Sequence, residues 1–385
     1  MKITEVETIP IRLPTRRVHQ WASLTTPIGV YIIIKLHTDE GLVGLGEAPV
    51  LKDWGGDYGK YFGETPQTTM HIINDILSPA LKGQDPRRFE VVHGLMDKAV
   101  KGYPYAKAAL DMALYDVAGK ALGVPAYQFL GGCFRDRIAI AHSLGLMEIK
   151  KAVEEALQAK SEGVKTIKLK GGVDPKRDVE LVRRMRDALG AETKICVDAN
   201  QGYPTPKIAV QVIKAMAEYD LLYMEQPVEG IDPMAEVTKR VDTPIMADES
   251  AWTAQDVLEI AQKKAADIIS LYTTKPGGIF KAKKVAAVAE AAGLKCNVNG
   301  SVETGVGNAA NIQLAASTAV VAFDCVVPVS TPKDPDRKGI AGIYYQDDII
   351  TEGFDFSDGD ISVSPRPGLG IEIDADKLKH YRLDS

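Results

Sequence analysis

Cysteine is scarce. The chain has four, Cys133, Cys196, Cys296 and Cys325, and no two stand in a C-x-x-C spacing. That excludes a disulfide-stapled scaffold. Three of the four fall in apolar, strand-like runs and read as reduced core residues, which points to the cytoplasm. No apolar run approaches the roughly 20 residues that a membrane-crossing helix needs, so no membrane partner is expected. The opening stretch MKITEVETIPIRLP alternates polar and apolar residues like a strand, unlike a secretion signal. Low-complexity segments are missing as well. The net charge is −6, with 46 basic against 52 acidic residues. This lacks the basic excess that nucleic-acid binding requires, and no nucleic acid is expected.

What is present is an ordinary globular composition, 45% apolar, in 385 residues. That is enough for a barrel and a second domain. The first third mixes strand and helix. ITEVETIPIRL and VYIIIKLHTDEGLVGLGEA read as antiparallel strands turning at TDEG, and residues 66–82 and 87–123 have helical spacing. We assign 1–125 to an α+β capping domain. From about residue 137, short apolar runs alternate with amphipathic helices: IAIAHSLG, TIKLKGG, KICVDAN, LLYMEQP, PIMADES, DIISLYTTK, KCNVNG and FDCVVPVS. Repeated strand–helix units imply a parallel sheet, and eight of them favour a (β/α)8 barrel, assigned to 126–359. The closing PGLGIEIDADKLKHY reads as part of a tail, 360–385, that returns to the capping domain.

In such a barrel the C-terminal strand ends form the working face. Four successive strands end in charge: Lys168 and Lys170, then Asp198, Glu225 and Asp248. The intervals from Lys170 onward are 28, 27 and 23 residues, about one βα unit each, which places the charges at one height. Any one acid could simply cap the next helix. Three in succession opposite K-x-K argue for a shared mouth. Carboxylates that converge repel, and one is driven toward protonation unless a cation sits among them. Hard oxygen ligands from separate strands suit Mg2+ or a similar ion. With no His or Cys in the set, zinc is disfavoured. Lys168 and Lys170 leave the same strand face, roughly 6–7 Å apart at the backbone, so that Ile167 and Leu169 face the helices. Each ammonium should lower the other's pKa, which suits one of them to act as a base.

With these residues, and with GLVGLGEA, GETP, ALDMALYDVAGKALGVPAYQFLGG, PGGI and PGLGIEID, the chain resembles the enolase superfamily over nearly its whole length. The resemblance implies a capping α+β domain on a modified (β/α)8 barrel, and Mg2+-assisted removal of the proton α to a carboxylate. It assigns Asp198, Glu225 and Asp248 to one divalent ion, Lys170 to the base and Lys168 to its electrostatic partner. Asn200 would orient a lysine or a metal ligand. The segment CNVNGSVETG has no His, which sets aside the mandelate racemase subgroup. K-x-K and GSVETG, with Glu303, are closer to the muconate lactonizing enzyme subgroup.

One departure matters. That subgroup has a lysine five residues before the Gly-Gly, and this chain has Tyr272 there. Lys275 lies nearby but is offset from the face of Tyr272. Two opposed lysines support racemisation, and a missing one favours one-face chemistry. The expected reaction is therefore β-elimination or cycloisomerisation of a small carboxylate, with Tyr272 as proton donor or Lys275 as a substitute base. The alternatives are a racemase or epimerase using two-base proton transfer, a Schiff-base aldolase on a lysine, or an inactive binding protein. Substrate choice should come from the loops 17–27 and 51–64, which bring Trp21, Trp54, Tyr58, Tyr61 and Phe62, with glycines at 55, 56 and 59 for lid motion and Asp53 and Asp57 to favour an amine. Asn200, Lys275, Glu303, Trp21 and Trp54 are the candidate substrate-side residues. His142 reads as a satisfied core histidine. The G-x-x-G-x-G run of GLVGLGEA sits between antiparallel strands, without the helix N-terminus that nucleotide binding needs. The resemblance also implies a homo-oligomer.

Overall fold

The structure, a computed structural model, describes residues 1–24, 27–57, 60–61, 63–300, 302–333 and 339–383. Tyr58, Gly59 and Phe62 of the expected lid lie outside the described residues. The chain opens with an antiparallel meander of β1 (Ile3–Arg12), β2 (Val30–Thr38) and β3 (Val43–Pro49), in the order β1-β2-β3. The helix Pro104–Leu122 packs on this sheet. It starts with Pro at its first turn, ends at Gly123 in the left-handed region (φ 68°), and is buried on every side from Tyr105 to Gly119. A helix buried all round lies inside a core, and its charged residues Asp111 and Asp116 are buried with it. Two glycines of GLVGLGEA, Gly44 and Gly46, serve this packing. A Cβ on Gly44 or Gly46 would collide with the carbonyl oxygens of Ala113 and Ala109 on that helix.

The expected first barrel strand is split. β4 (Arg137–Ala139) pairs antiparallel with β13 (Asp360–Ser362) of the hairpin that β13 forms with β12 (Phe356–Ser357), and only β5 (Ala141–Ser143) joins the barrel. The parallel sheet continues through β6 (Thr166–Lys170), β7 (Lys194–Asp198), β8 (Leu221–Glu225), β9 (Ile245–Ala247), β10 (Ile268–Leu271) and β11 (Lys295–Val298), seven strands in chain order. The expected eighth strand forms only isolated parallel bridges, Val321 to Cys296 and Cys325 to Ile140. Its backbone bonds alternate between the two sheet edges: Ala322 N–H donates to Cys296 O at 2.8 Å and Cys325 N–H to Ala139 O at 2.8 Å. The segment closes the barrel without running a continuous ladder along either edge. The tail bridges β1 at Ile11–Arg382, and Leu383 N–H donates to Pro10 O at 2.8 Å.

Two large apolar cores result. One lies between the barrel strands and their helices. The other fills the capping domain and extends to Trp252, Tyr272 and Val302 at the barrel mouth. The cap thus seals the working face with apolar side chains. Among the described residues, no helix is long and apolar enough to cross a membrane.

Candidate active site

Strand alternation does what the pattern of TIKLK requires. Ile167 and Leu169 join the core against the helices, and both lysines turn into the barrel. Lys168 Nζ donates to Glu225 Oε1 at 2.8 Å and lies 3.1 Å from Asp198 Oδ2. Lys170 Nζ donates to Asp198 Oδ2 at 2.6 Å and to Asn200 Oδ1 at 2.9 Å. Lys170, Asp198 and Glu225 are register neighbours across β6, β7 and β8. Asp248 is not level with them. The partner of Glu225 on β9 is Met246, and Asp248 lies beyond the strand's last residue, Ala247. Its backbone N–H donates to Gln226 Oε1 at 2.9 Å, which fixes the turn.

The electrostatics correct one expectation. For Lys168, the neighbouring ammonium is not what governs the pKa. Burial works to lower Lys168, but Asp198, Glu225 and Asp248 outweigh it and hold the ammonium well above its ordinary value. Burial also opposes ionisation of Asp198, yet Lys168 and Lys170 beside it bring it down to about 2. Glu225 takes the opposite course, pushed up to about 8 by burial and by Asp198. Crowding of carboxylates shifts a pKa in this direction, and burial adds to it.

Across the barrel, Tyr272 Oη donates to Asp248 Oδ2 at 3.1 Å. Lys275 Nζ donates to Asp248 Oδ1 at 2.7 Å, Asp248 O at 2.9 Å and Ser270 O at 2.8 Å. An ammonium has three hydrogens, and all three of Lys275 are used. Burial, then Asp248, raises the Tyr272 phenol well above its ordinary value.

Two participants escaped the sequence reading. Glu249 is buried beside Asp248 and accepts from Asn200 Nδ2 at 2.9 Å. Burial, then Asp248, raises its carboxyl well above the usual range. Asn299 Nδ2 donates to Glu225 Oε1 at 3.2 Å and to Ser270 Oγ at 2.6 Å. Strand alternation hid Glu249, because β9 ends before it and the turn redirects it. The signal for Asn299 was its place just past β11, at a strand end of the same face.

A cavity of about 40 Å³ lies between Lys168, Lys170, Asn200, Tyr272 and Asn299. That volume has room for a few waters and is too small for an organic acid with the capping loops as they stand. Trp21, Trp54 and His19 line it from those loops. Lys170 Nζ sits 5.5 Å from the Trp21 ring centre, and Trp54 packs against Tyr272 at 5.5 Å. Glu303 does not line the cavity. It is fully buried behind it, near Glu47, and its backbone carbonyl accepts from Asn308 Nδ2 at 2.8 Å. Lys275 lines a neighbouring cavity of about 410 Å³ instead. Asp57 lines that neighbouring cavity and leaves Oδ2 buried without a hydrogen-bond partner. Its Oδ1 accepts from Ser250 Oγ at 2.9 Å, Gly230 N–H at 3.0 Å and Gln201 Nε2 at 3.1 Å, which pins the lid to the barrel. His142 is satisfied, donating from Nε2 to Glu155 Oε1 at 3.0 Å and accepting Gly342 N–H at Nδ1 at 3.0 Å.

Among the described residues, no three His, Cys, Asp or Glu side chains stand ready to ligate a metal. Here the lysines take the carboxylate oxygens of Asp198 and Asp248. The donor chemistry still fits a hard divalent cation. Glu225 Oε2 and Glu249 Oε2 are buried without a hydrogen-bond partner, and a cation would offset the burial and the neighbouring carboxylates that raise Glu225.

Together, a capped parallel barrel with lysines facing three carboxylates at its strand ends defines an enzyme of enolate chemistry, acting α to a carboxylate. Residues 151–377 match the enolase C-terminal domain-like family and 3–131 the mandelate racemase / muconate lactonizing enzyme N-terminal domain, and the chain belongs to this family. It is 33% identical to the N-succinyl-L-Arg/Lys racemase of Bacillus cereus over 100% of this chain and 98% of that one. It is 31% identical to muconate cycloisomerase 1 of Rhodococcus opacus over 99% and 98%. The solved dipeptide epimerase of Enterococcus faecalis, in complex with Mg and L-Leu-L-Tyr, superposes with a TM-score of 0.85 at 31% identity, covering 97% of this chain and 100% of that one.

Proposed function

We propose that Lys170 removes the α-proton of a small carboxylate and that Tyr272 serves the opposite face as a proton donor, giving β-elimination of water or cycloisomerisation. The observation that carries this is the asymmetry of the two sides. Lys170 and Tyr272 line one cavity from strands four apart in the barrel. Lys275, three residues past Tyr272, has every N–H committed to Asp248 and Ser270. A phenol with an ordinary pKa of about 10 donates a proton more readily than it accepts one at neutral pH. In elimination, the Cα–H electron pair forms the new double bond, the β-hydroxyl leaves with a proton, and the products are an unsaturated acid and water.

Asp198, Glu225 and Asp248 would hold one Mg2+, with Glu249 beside them. The ion would supply positive charge at the carboxylate oxygens where the enolate develops. Lys168, ion-paired to Glu225 and Asp198, holds a second positive charge beside Lys170. Asn200 orients Lys170, and Trp21 and Trp54 exclude water. The protein would be a cytoplasmic homo-oligomer with reduced cysteines; all four are free.

A second reading, 1,1-proton transfer, is favoured by the position of Tyr272 across from Lys170 and by the racemase and epimerase relatives. One experiment separates them. Carboxylates are screened in deuterated water with Mg2+, using wild type, Lys170→Ala and Tyr272→Phe. Deuterium entering at Cα, lost in Lys170→Ala, is expected, with retention or loss of water. Inversion at Cα would replace elimination by racemisation. Exchange that survives in Lys170→Ala would remove Lys170 as the base.

A further inference from the structure

We infer that two buried phenols, Tyr31 of the cap and Tyr345 of the C-terminal segment, are positioning residues that clamp Val302 in a strained left-handed turn, and that this turn sets the size of the catalytic cavity. The effect on substrate choice rests on the reading above; the clamp itself does not.

Val302 lines the catalytic cavity beside Gly300 and also packs into the cap core with Tyr31 and Tyr345. Its φ is 57°. Among the described residues, eight other than glycine have positive φ, and Val302 is the β-branched one. A branched Cβ crowds the left-handed region, which glycine enters freely. Such strain persists where the surroundings over-determine it, and it gathers at active sites.

The surroundings do over-determine it. Tyr31 Oη donates to Val302 O at 2.6 Å and Tyr345 Oη donates to the same oxygen at 2.5 Å. A carbonyl oxygen has two lone pairs, and both are taken. The two hydroxyls lie against each other, and the rings meet edge-on at 6.0 Å. Burial raises both phenols well above their ordinary value, so both keep the hydrogen they donate. Tyr31 stands on β2, and Tyr345 bridges Thr15 of the cap.

The flanks of the turn are held by different domains. Before it, Asn299 N–H donates to Leu271 O at 2.8 Å, which ties the chain to the barrel strand β10. After it, Thr304 N–H donates to Glu47 Oε1 at 2.9 Å and Gly307 N–H to Glu47 Oε2 at 3.0 Å, which ties the chain to β3 of the cap. The turn spans from a barrel anchor to a cap anchor, with the tyrosines gripping its middle. The docked cap therefore shapes the cavity through a backbone carbonyl. Relaxation of Val302 to negative φ would turn the isopropyl group and move that wall. The clamp thus favours compact acids over homologues that are one or two methylenes longer.

NMR of protein carrying 13C-labelled valine, with Val302 assigned by its loss in Val302→Ala, reads the turn without substrate. Wild type should show the backbone carbon shifts of a left-handed valine, and Tyr31→Phe/Tyr345→Phe those of negative φ. For acids that exchange deuterium, kcat/KM is then compared within homologous pairs. Val302→Ala should shift the ratio about tenfold toward the longer acid, the usual discrimination of a pocket by a methylene. The double phenylalanine variant should shift it the same way, and the triple variant no further than either; each single tyrosine variant is read in the same manner. A Val302 of negative φ in wild type overturns the strain. An unmoved φ in the phenylalanine variants overturns the clamp. An unchanged ratio in Val302→Ala, or full additivity in the triple variant, overturns the link to cavity size. Absence of exchange by every acid counts against the enolate reading instead, and the valine shifts then still decide the clamp.

Discussion

Lys275 grips Asp248 twice, through the side-chain Oδ1 at 2.7 Å and through the backbone carbonyl at 2.9 Å. Both residues are nearly inaccessible. Breaking a buried pair strands the remaining charge. Lys275→Met should therefore lower the free energy of unfolding by about 3 kcal/mol, read from urea curves. A variant as stable as wild type would show that the pair does not hold the turn after β9.

Adding Mg2+ should raise the unfolding midpoint, since a ligand at 100 times its Kd stabilises the folded state by about 2.7 kcal/mol. Asp198→Asn and Asp248→Asn should lose most of that response, and titration calorimetry should show one site. A midpoint indifferent to Mg2+ would refute the assignment of the three carboxylates.

Tyr272→Phe removes the donor and keeps the ring against Trp54. Turnover should fall by about 100-fold or more, the usual contribution of a general acid, while Lys170-dependent deuterium exchange persists. Equal turnover in both proteins would move the acid elsewhere.

One buried carboxyl, Glu47, joins the cap to the barrel, another, Glu64, ties the cap helix to its own domain, and the two set a pH dependence. Glu47 accepts from Thr304 N–H at 2.9 Å and Gly307 N–H at 3.0 Å, and Glu64 from Tyr105 N–H at 2.9 Å. Burial pushes Glu47 up to about 8 and Glu64 up to about 7, from an ordinary 4.5. Between those limits the folded protein retains protons that the unfolded chain gives up, so their contribution is full below 4.5 and is lost as pH rises through 7 to 8. Unfolding in urea should show lower stability at the alkaline end of this window, with a flatter profile in Glu47→Gln. A wild-type stability that climbs across the window would contradict this.

Much of the site was legible from spacing. Lys168, Lys170, Asp198 and Glu225 follow from a strand period of two and from one charge per βα unit, both local rules. Asp248 was found by the same rule but sits higher than expected, because the register pairs Glu225 with Met246, two residues before it. Glu249 and Asn299 were missed, as each lies where the chain leaves the strand and alternation stops. The eighth strand was overread: its apolar run is real, but closure of the barrel divides its hydrogen bonds between two edges.

The sequence by itself determined the strand–helix repeat, the charged strand ends and the replacement of a lysine by Tyr272, because these depend on residue type and order along the chain. Only the tertiary structure decided that Lys275 is spent on Asp248, that Glu303 lies behind the cavity, and that Asp57 pins the lid. Those outcomes depend on distances across the barrel and between cap and barrel, which are set by closure of the sheet and packing of the two cores.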